Sequence, residues 1–187
     1  AIPLSKQKEP SPLPLRYSNM ANAYREMKQY GISEEYFERA MTCEKTEVRK
    51  DSIERIILLT DYSGLLLDLN KPARAKPLIE QALTLCNGIW GSRNPQLAEV
   101  QLNKGRYFEL SGQLDNAIFW YKQSLLSLYT DRQEYIPGTG TLPEKIISRQ
   151  HFLVSLKALA KVYSRKSALT GHIDHLTTGL TLYEQCV

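Results

Sequence analysis

An all-α solenoid of about four antiparallel helix pairs is the architecture this sequence predicts, on three observations. First, small residues recur inside apolar helical patterns at a period of 42: Ala21, Ser63 and Gly105. Second, two more small columns hold the same register, Ser33, Ala75, Ala117 and Ala40, Ala82, Ser124, with the bulky column Phe37, Ile79, Tyr121 between them. Third, the surrounding apolar residues are spaced three and four apart, as in Leu59, Tyr62, Leu66 and Leu69, which places them on one helix face. Small residues belong where two helices cross, because bulk there forces the axes beyond roughly 8–10 Å. One pair cannot bury both of its faces, so the pairs must stack.

In chain order, an extended proline-bearing leader over 1–12 precedes units at about 13–47, 50–87, 95–129 and 144–187. Polar turns at Gln29–Ile32, Asn70–Lys71 and Ser111–Gln113 separate the two helices of the first three units. Pro72 stands near the start of a second helix, and Pro77 is expected within about its first turn, where amide protons lack helical partners anyway. Asn87-Gly88 is expected to stop that helix, and Asn94-Pro95 reads as an N-cap with proline at the first helical position. The fourth unit is shifted by a long connection, Tyr129–Glu144, holding Pro137, Gly138, Gly140 and Pro143. Its first helix is predicted over Ile146–Arg165 and its second over Ile173–Val187, the latter with Ile173, Leu176, Leu180 and Tyr183 in line and Thr170-Gly171 as the break.

Composition bounds the function classes. Hydrophobic residues at 42% and charged residues at 24% exclude wholesale disorder, and no apolar run reaches the ~18 residues of a spanning helix. A net charge of +4 is too mild to announce a nucleic-acid or membrane surface. Cys43, Cys86 and Cys186 are odd in number and lack CxxC spacing, so they read as reduced thiols, which points to a cytoplasmic setting.

No catalytic constellation stands out. GxSxG, Walker, HExxH and GxGxxG patterns are missing, and Gly138-Thr-Gly140 lacks the lysine of a phosphate loop. His172 and His175 share a helix face, but no further ligand is placed to complete a metal set. The expectation is a non-enzyme without cofactor or metal.

These columns resemble tetratricopeptide repeats, in the 42-residue variety of kinesin light chains and many bacterial proteins. Ala75-Lys-Pro-Leu-Ile-Glu-Gln-Ala-Leu83 and Asn94-Pro-Gln-Leu-Ala98 carry the likeness; Gln101, Lys104 and Ser124 depart from it. A narrower likeness is to the repeats that precede the caspase-like domain of bacterial CHAT proteins, on Phe152–Ala160 and Leu180-Thr-Leu-Tyr-Glu184. It implies a regulatory region of a larger protease, and the start at Ala1 together with an uncapped last helix suits an excerpt. The uncapped helix also suggests self-association through Leu180, Tyr183 and Val187.

The repeat resemblance implies that the first helices line a concave groove for a protein or peptide. By register its open faces carry Asn22, Arg25 and Glu26, then Thr60, Gly64, Leu67 and Asp68. Leu102, Arg106 and Glu109 follow in the third unit, and Lys157, Lys161 and Arg165 in the fourth. The last unit is basic, which fits an acidic partner segment there. Chaperone adaptors of this family grip a terminal carboxylate, but the matching positions Ser18, Asn22, Asp61, Glu99 and Asn103 agree only at Asn22, so that activity is not expected.

Overall fold

The computed structural model describes residues 13–44, 53–89, 93–129 and 145–185. The leader, most of the long connection with Gly138-Thr-Gly140, and Cys186 and Val187 lie outside them. Among the described residues are eight helices in four pairs: α1 (Leu13–Glu26) with α2 (Tyr30–Glu44), α3 (Ile53–Asp68) with α4 (Pro72–Ile89), α5 (Pro95–Leu110) with α6 (Leu114–Leu126), and α7 (Arg149–Thr170) with α8 (Ile173–Glu184). Each second helix also packs on the first helix of the next pair, α2 on α3, α4 on α5 and α6 on α7. That is the expected stack.

All four columns are buried. Ala21, Ser33, Phe37 and Ala40 are fully enclosed, as are their partners one and two periods on. The small residues work in two ways. Ser33 and Ser124 are short enough to turn their Oγ onto the carbonyl oxygens of Ala21 and Ala98, each at 2.7 Å, and so satisfy themselves between helices. Gly105 makes room instead: a Cβ there would lie 2.4 Å from the Tyr121 ring. The polar departures are accommodated too. Gln101 accepts from Ser127 Oγ at 2.8 Å, and the Lys104 ammonium lies 4.2 Å from the Trp120 ring centre.

Asn94 caps α5 through its side chain, which accepts from Gln96 N–H at 2.8 Å with Pro95 behind it. Gly171, at φ 71°, ends α7 in the left-handed conformation and donates its N–H to Ser167 O at 2.8 Å. Several boundaries differ from expectation. The first turn ends before Tyr30, and α4 runs through Asn87-Gly88 to Ile89. Pro77 is the sixth residue of α4 rather than a first-turn residue, so the Ala73 carbonyl loses its helical donor; both residues are exposed, and water can serve that oxygen. Helix α7 starts at Arg149 because Ile146 pairs with Tyr129 in an isolated bridge and Ile147 N–H donates to Leu128 O at 2.7 Å.

The fourth pair corrects the largest expectation. Ile173, Leu176 and Leu180 do not face α7; they are 75%, 43% and 54% exposed. The packed line is His175, Gly179 and Leu182, with the His175 ring 5.9 Å from that of Tyr163 and Leu182 fully buried. Gly179 decides this: a Cβ there would come within 3.2 Å of Ala160 O and 3.3 Å of Ser164 N, so the backbones meet at that point. The closeness of α7 and α8 outweighed the apolar count of the competing face.

Candidate functional site: the concave groove

The first helices α1, α3, α5 and α7 line one side of the stack, and their charged residues meet there. Arg25 of α1 lays its guanidinium across Gly64 of α3, where a Cβ would lie 3.1 Å from Nη2. From that seat its Nε donates to Asp68 Oδ2 at 2.8 Å. Arg106 of α5 pairs with the other Asp68 oxygen. One carboxylate therefore ties three helices together and pairs with both cations. Asn22 donates from Nδ2 to Asp61 Oδ2 at 2.7 Å, and Glu26 is exposed.

Thr60 and Leu67 correct the register reading. Each is only 3% exposed; Thr60 donates its Oγ1 to Ile56 O, and its own carbonyl accepts from Asn103 Nδ2 at 2.9 Å. Thr60 lies in the α3–α5 contact and Leu67 in the first core cluster, instead of the open groove. Gly64 is buried as well, and Leu102 is half-buried against the second core cluster. Because Asn103 also donates to Ser63 Oγ and Ser18 is buried, two of the positions a carboxylate clamp needs are spent inside the stack.

The far end differs in character. Glu109, 9% exposed, accepts from the Tyr121 hydroxyl at 2.7 Å, and burial together with this carboxylate pushes the phenol pKa upward. Lys161 and Arg165 both reach toward Glu109, at 3.5 and 3.9 Å, and Arg165 also donates to its backbone oxygen at 3.3 Å. Lys157, Lys161 and Arg165 stand four residues apart on the exposed face of α7. Two of these cations, Lys161 and Arg165, thus share one buried carboxylate.

Between these ends lie Glu99 and Asp61, two of the positions that the register matched to a carboxylate clamp and found acidic. Glu99 has its pKa pushed up to about 7 by burial, with the nearby charge of Asp61 adding to it and Arg25 opposing. Burial raises Asp61 as well. His151 Nε2 is 4.0 Å from Glu99 Oε2, and its Nδ1 is 2.7 Å from Ser148 Oγ. The register match to a clamp was the sequence signal for Asp61 and Glu99; His151 had none. The rings of His172 and His175 meet edge to face at 5.9 Å, and among the described residues no three His, Cys, Asp or Glu side chains gather as a metal site would require. Cys86 is buried in the first core cluster, which pushes its thiol up to about 11.

Models of the tetratricopeptide repeat match residues 16–88 and 98–127, together more than half of the sequence. The chain belongs to the tetratricopeptide repeat family. Among solved structures this repeat chain resembles BtubC (BKLC) from P. vanneervenii, at 16% identity and a TM-score of 0.69, covering 96% of this chain and 67% of that one. It also resembles a putative kinesin light chain of Podosopora anserina with nearly identical TPR-like repeats, at 16% identity and a TM-score of 0.66, covering 93% and 78%. MamA from Desulfovibrio magneticus RS-1 follows, at 13% identity and 0.56, covering 92% and 76%. At such identities the likeness is one of fold, and it is the kinesin-light-chain-like repeat that the 42-residue period indicated. No curated protein matches the chain. No helix among the described residues is long and apolar enough to cross a membrane.

Proposed function

We propose that the chain is a non-enzymatic scaffold that binds a protein or peptide along the groove of α1, α3, α5 and α7, with an acidic stretch of the partner against α7. The observation that carries this reading is the imbalance at α7. Arg25 and Arg106 are held by Asp68, whereas among the described residues Lys161 and Arg165 reach one carboxylate, Glu109, at 3.5 and 3.9 Å, and both stay exposed beside exposed Lys157. An incoming carboxylate gains two cations whose present pairing is loose, at small desolvation cost. Tetratricopeptide repeats act as protein-interaction scaffolds, which supports the general class.

The test is a titration of a labelled acidic peptide and its charge-reversed counterpart into the chain, with Lys157→Glu/Lys161→Glu as the variant. The acidic peptide is expected to bind more tightly, and the variant to weaken it about tenfold or more with unchanged helicity, since both residues are exposed. Equal affinity for the two peptides, or an indifferent variant, would remove α7 from the binding surface.

A further inference from the structure

We propose, building on the groove reading above, that the acidic group received at α7 is a phosphorylated side chain of the partner segment. Lys157, Lys161 and Arg165 follow one another at intervals of four on the exposed face of α7. Among the described residues one carboxylate meets them, that of Glu109, through Lys161 and Arg165. Three cations against one anion leave two positive charges in excess. A partner carboxylate cancels one of these. Phosphoserine or phosphothreonine carries about −1.5 to −2 near neutral pH and cancels both. The opposite end of the groove offers no such opening: the Arg25 and Arg106 side chains, each paired with Asp68, are 25% and 28% exposed, against 70% for Lys161 and 48% for Arg165.

Geometry favours one dianion over two separate acids. Lys161 Nζ and Arg165 Nη1 approach the same atom, Oε1 of Glu109, at 3.5 and 3.9 Å. The two cationic heads therefore converge on a space that a single group fills. Two partner carboxylates crowded there would repel each other. A phosphoryl group concentrates its charge on one centre and offers three acceptor oxygens, enough for Lys161, Arg165 and the flexible stem of Lys157 to donate to it together.

Glu109 orients these donors without consuming them. Its side chain is 12% exposed, and its other oxygen accepts from the buried Tyr121 hydroxyl at 2.7 Å, so it cannot swing out to close on the cations. Both ion pairs stay longer than the roughly 2.7–2.9 Å of a charge-assisted hydrogen bond. Arg165 gives one N–H of its guanidinium to the Glu109 backbone oxygen, at 3.3 Å, which fixes the plane of the fork. A guanidinium has five N–H donors, so most of them stay available to an incoming oxyanion. A planar fork beside two ammonium groups is the donor set that phosphoryl recognition uses.

Fluorescence anisotropy with three labelled peptides tests this. Each is built of glycine, alanine and two glutamates around one central residue, which is serine, glutamate or phosphoserine. The phosphoserine peptide is expected to bind about tenfold more tightly than the glutamate peptide, and the serine peptide most weakly. Lys157→Gln/Lys161→Gln, at two exposed positions, should abolish the phosphoserine advantage. Arg165→Lys should reduce it with the charge retained, because the fork is lost. Circular dichroism confirms that both variants fold. Equal affinity for phosphoserine and glutamate, with serine weaker, overturns the proposal and leaves the acidic-partner reading standing; no preference among the three removes both. A phosphoserine advantage that survives Lys157→Gln/Lys161→Gln overturns the assignment to α7. A uridine oligonucleotide or vesicles of anionic phospholipid that compete better than the phosphopeptide, phosphate for phosphate, overturn the choice of a protein partner.

Discussion

Gly105→Ala separates packing from helix propensity at the heart of the stack. In a helix interior, alanine is favoured over glycine by about 1 kcal/mol. At Gly105 the added Cβ would stand 2.4 Å from two carbons of the Tyr121 ring. The ring has nowhere to retreat: Tyr121 is fully buried and its hydroxyl is tied to Glu109 at 2.7 Å. Overpacking of this kind costs about 1–3 kcal/mol. Because the ring is held at both ends, the upper part of that range applies, leaving a net loss of about 1–2 kcal/mol after the propensity gain. For a chain of this size the thermal midpoint then falls by about 2–8 °C. Urea and thermal unfolding followed by circular dichroism measure the free-energy loss and the midpoint shift. Gly88→Ala in α4, where a Cβ meets nothing within 4 Å, is the control and is expected to be neutral or stabilising. Replacing Tyr121 by leucine as well relieves the clash, so the double variant should lose less than the two single losses together. A gain in stability from Gly105→Ala alone would refute the argument.

Two further outcomes are expected. Tyr121→Phe removes a buried hydrogen bond to a carboxylate and should cost about 1–3 kcal/mol in the same assay. Glu99, raised to about 7 from an ordinary value of 4.5, binds its proton more tightly folded than unfolded. Stability must therefore fall as pH rises from about 4.5 to 7 and level off above that, with Asp61 acting in the same direction. The Glu99 side chain is 39% exposed, so solvent screening reduces the effect to about 1 kcal/mol. Glu99→Gln should flatten the slope and be the more stable protein at pH 8; an unchanged slope places the proton elsewhere.

The groove was only partly legible in the sequence. Register alone identifies which helix face turns inward, and it brought Asn22, Arg25, Asp68, Arg106, Glu109 and the α7 cations to one side. It could not show that Arg25 and Arg106 share the Asp68 carboxylate, because those partners are separated by about forty residues and join only when the pairs stack. Nor could it tell that Thr60 belongs to the α3–α5 contact, since that depends on how closely adjacent first helices approach. The protease-linked context suggested by Phe152–Ala160 gains no support from the family matches or the similar structures.

By itself the sequence determined the repeating part of this protein: a 42-residue period, small residues at helix crossings, and Asn94 and Gly171 as helix ends. Those features are local, because sterics and backbone conformation act within a pair and recur with it. Tertiary structure alone decided which face of α8 is buried and which charges in the groove remain available. The α8 choice turned on a backbone approach that only Gly179 permits, and the groove charges turned on ion pairs between helices of different repeats. Both are distances between remote segments, and a periodic pattern carries no information about them.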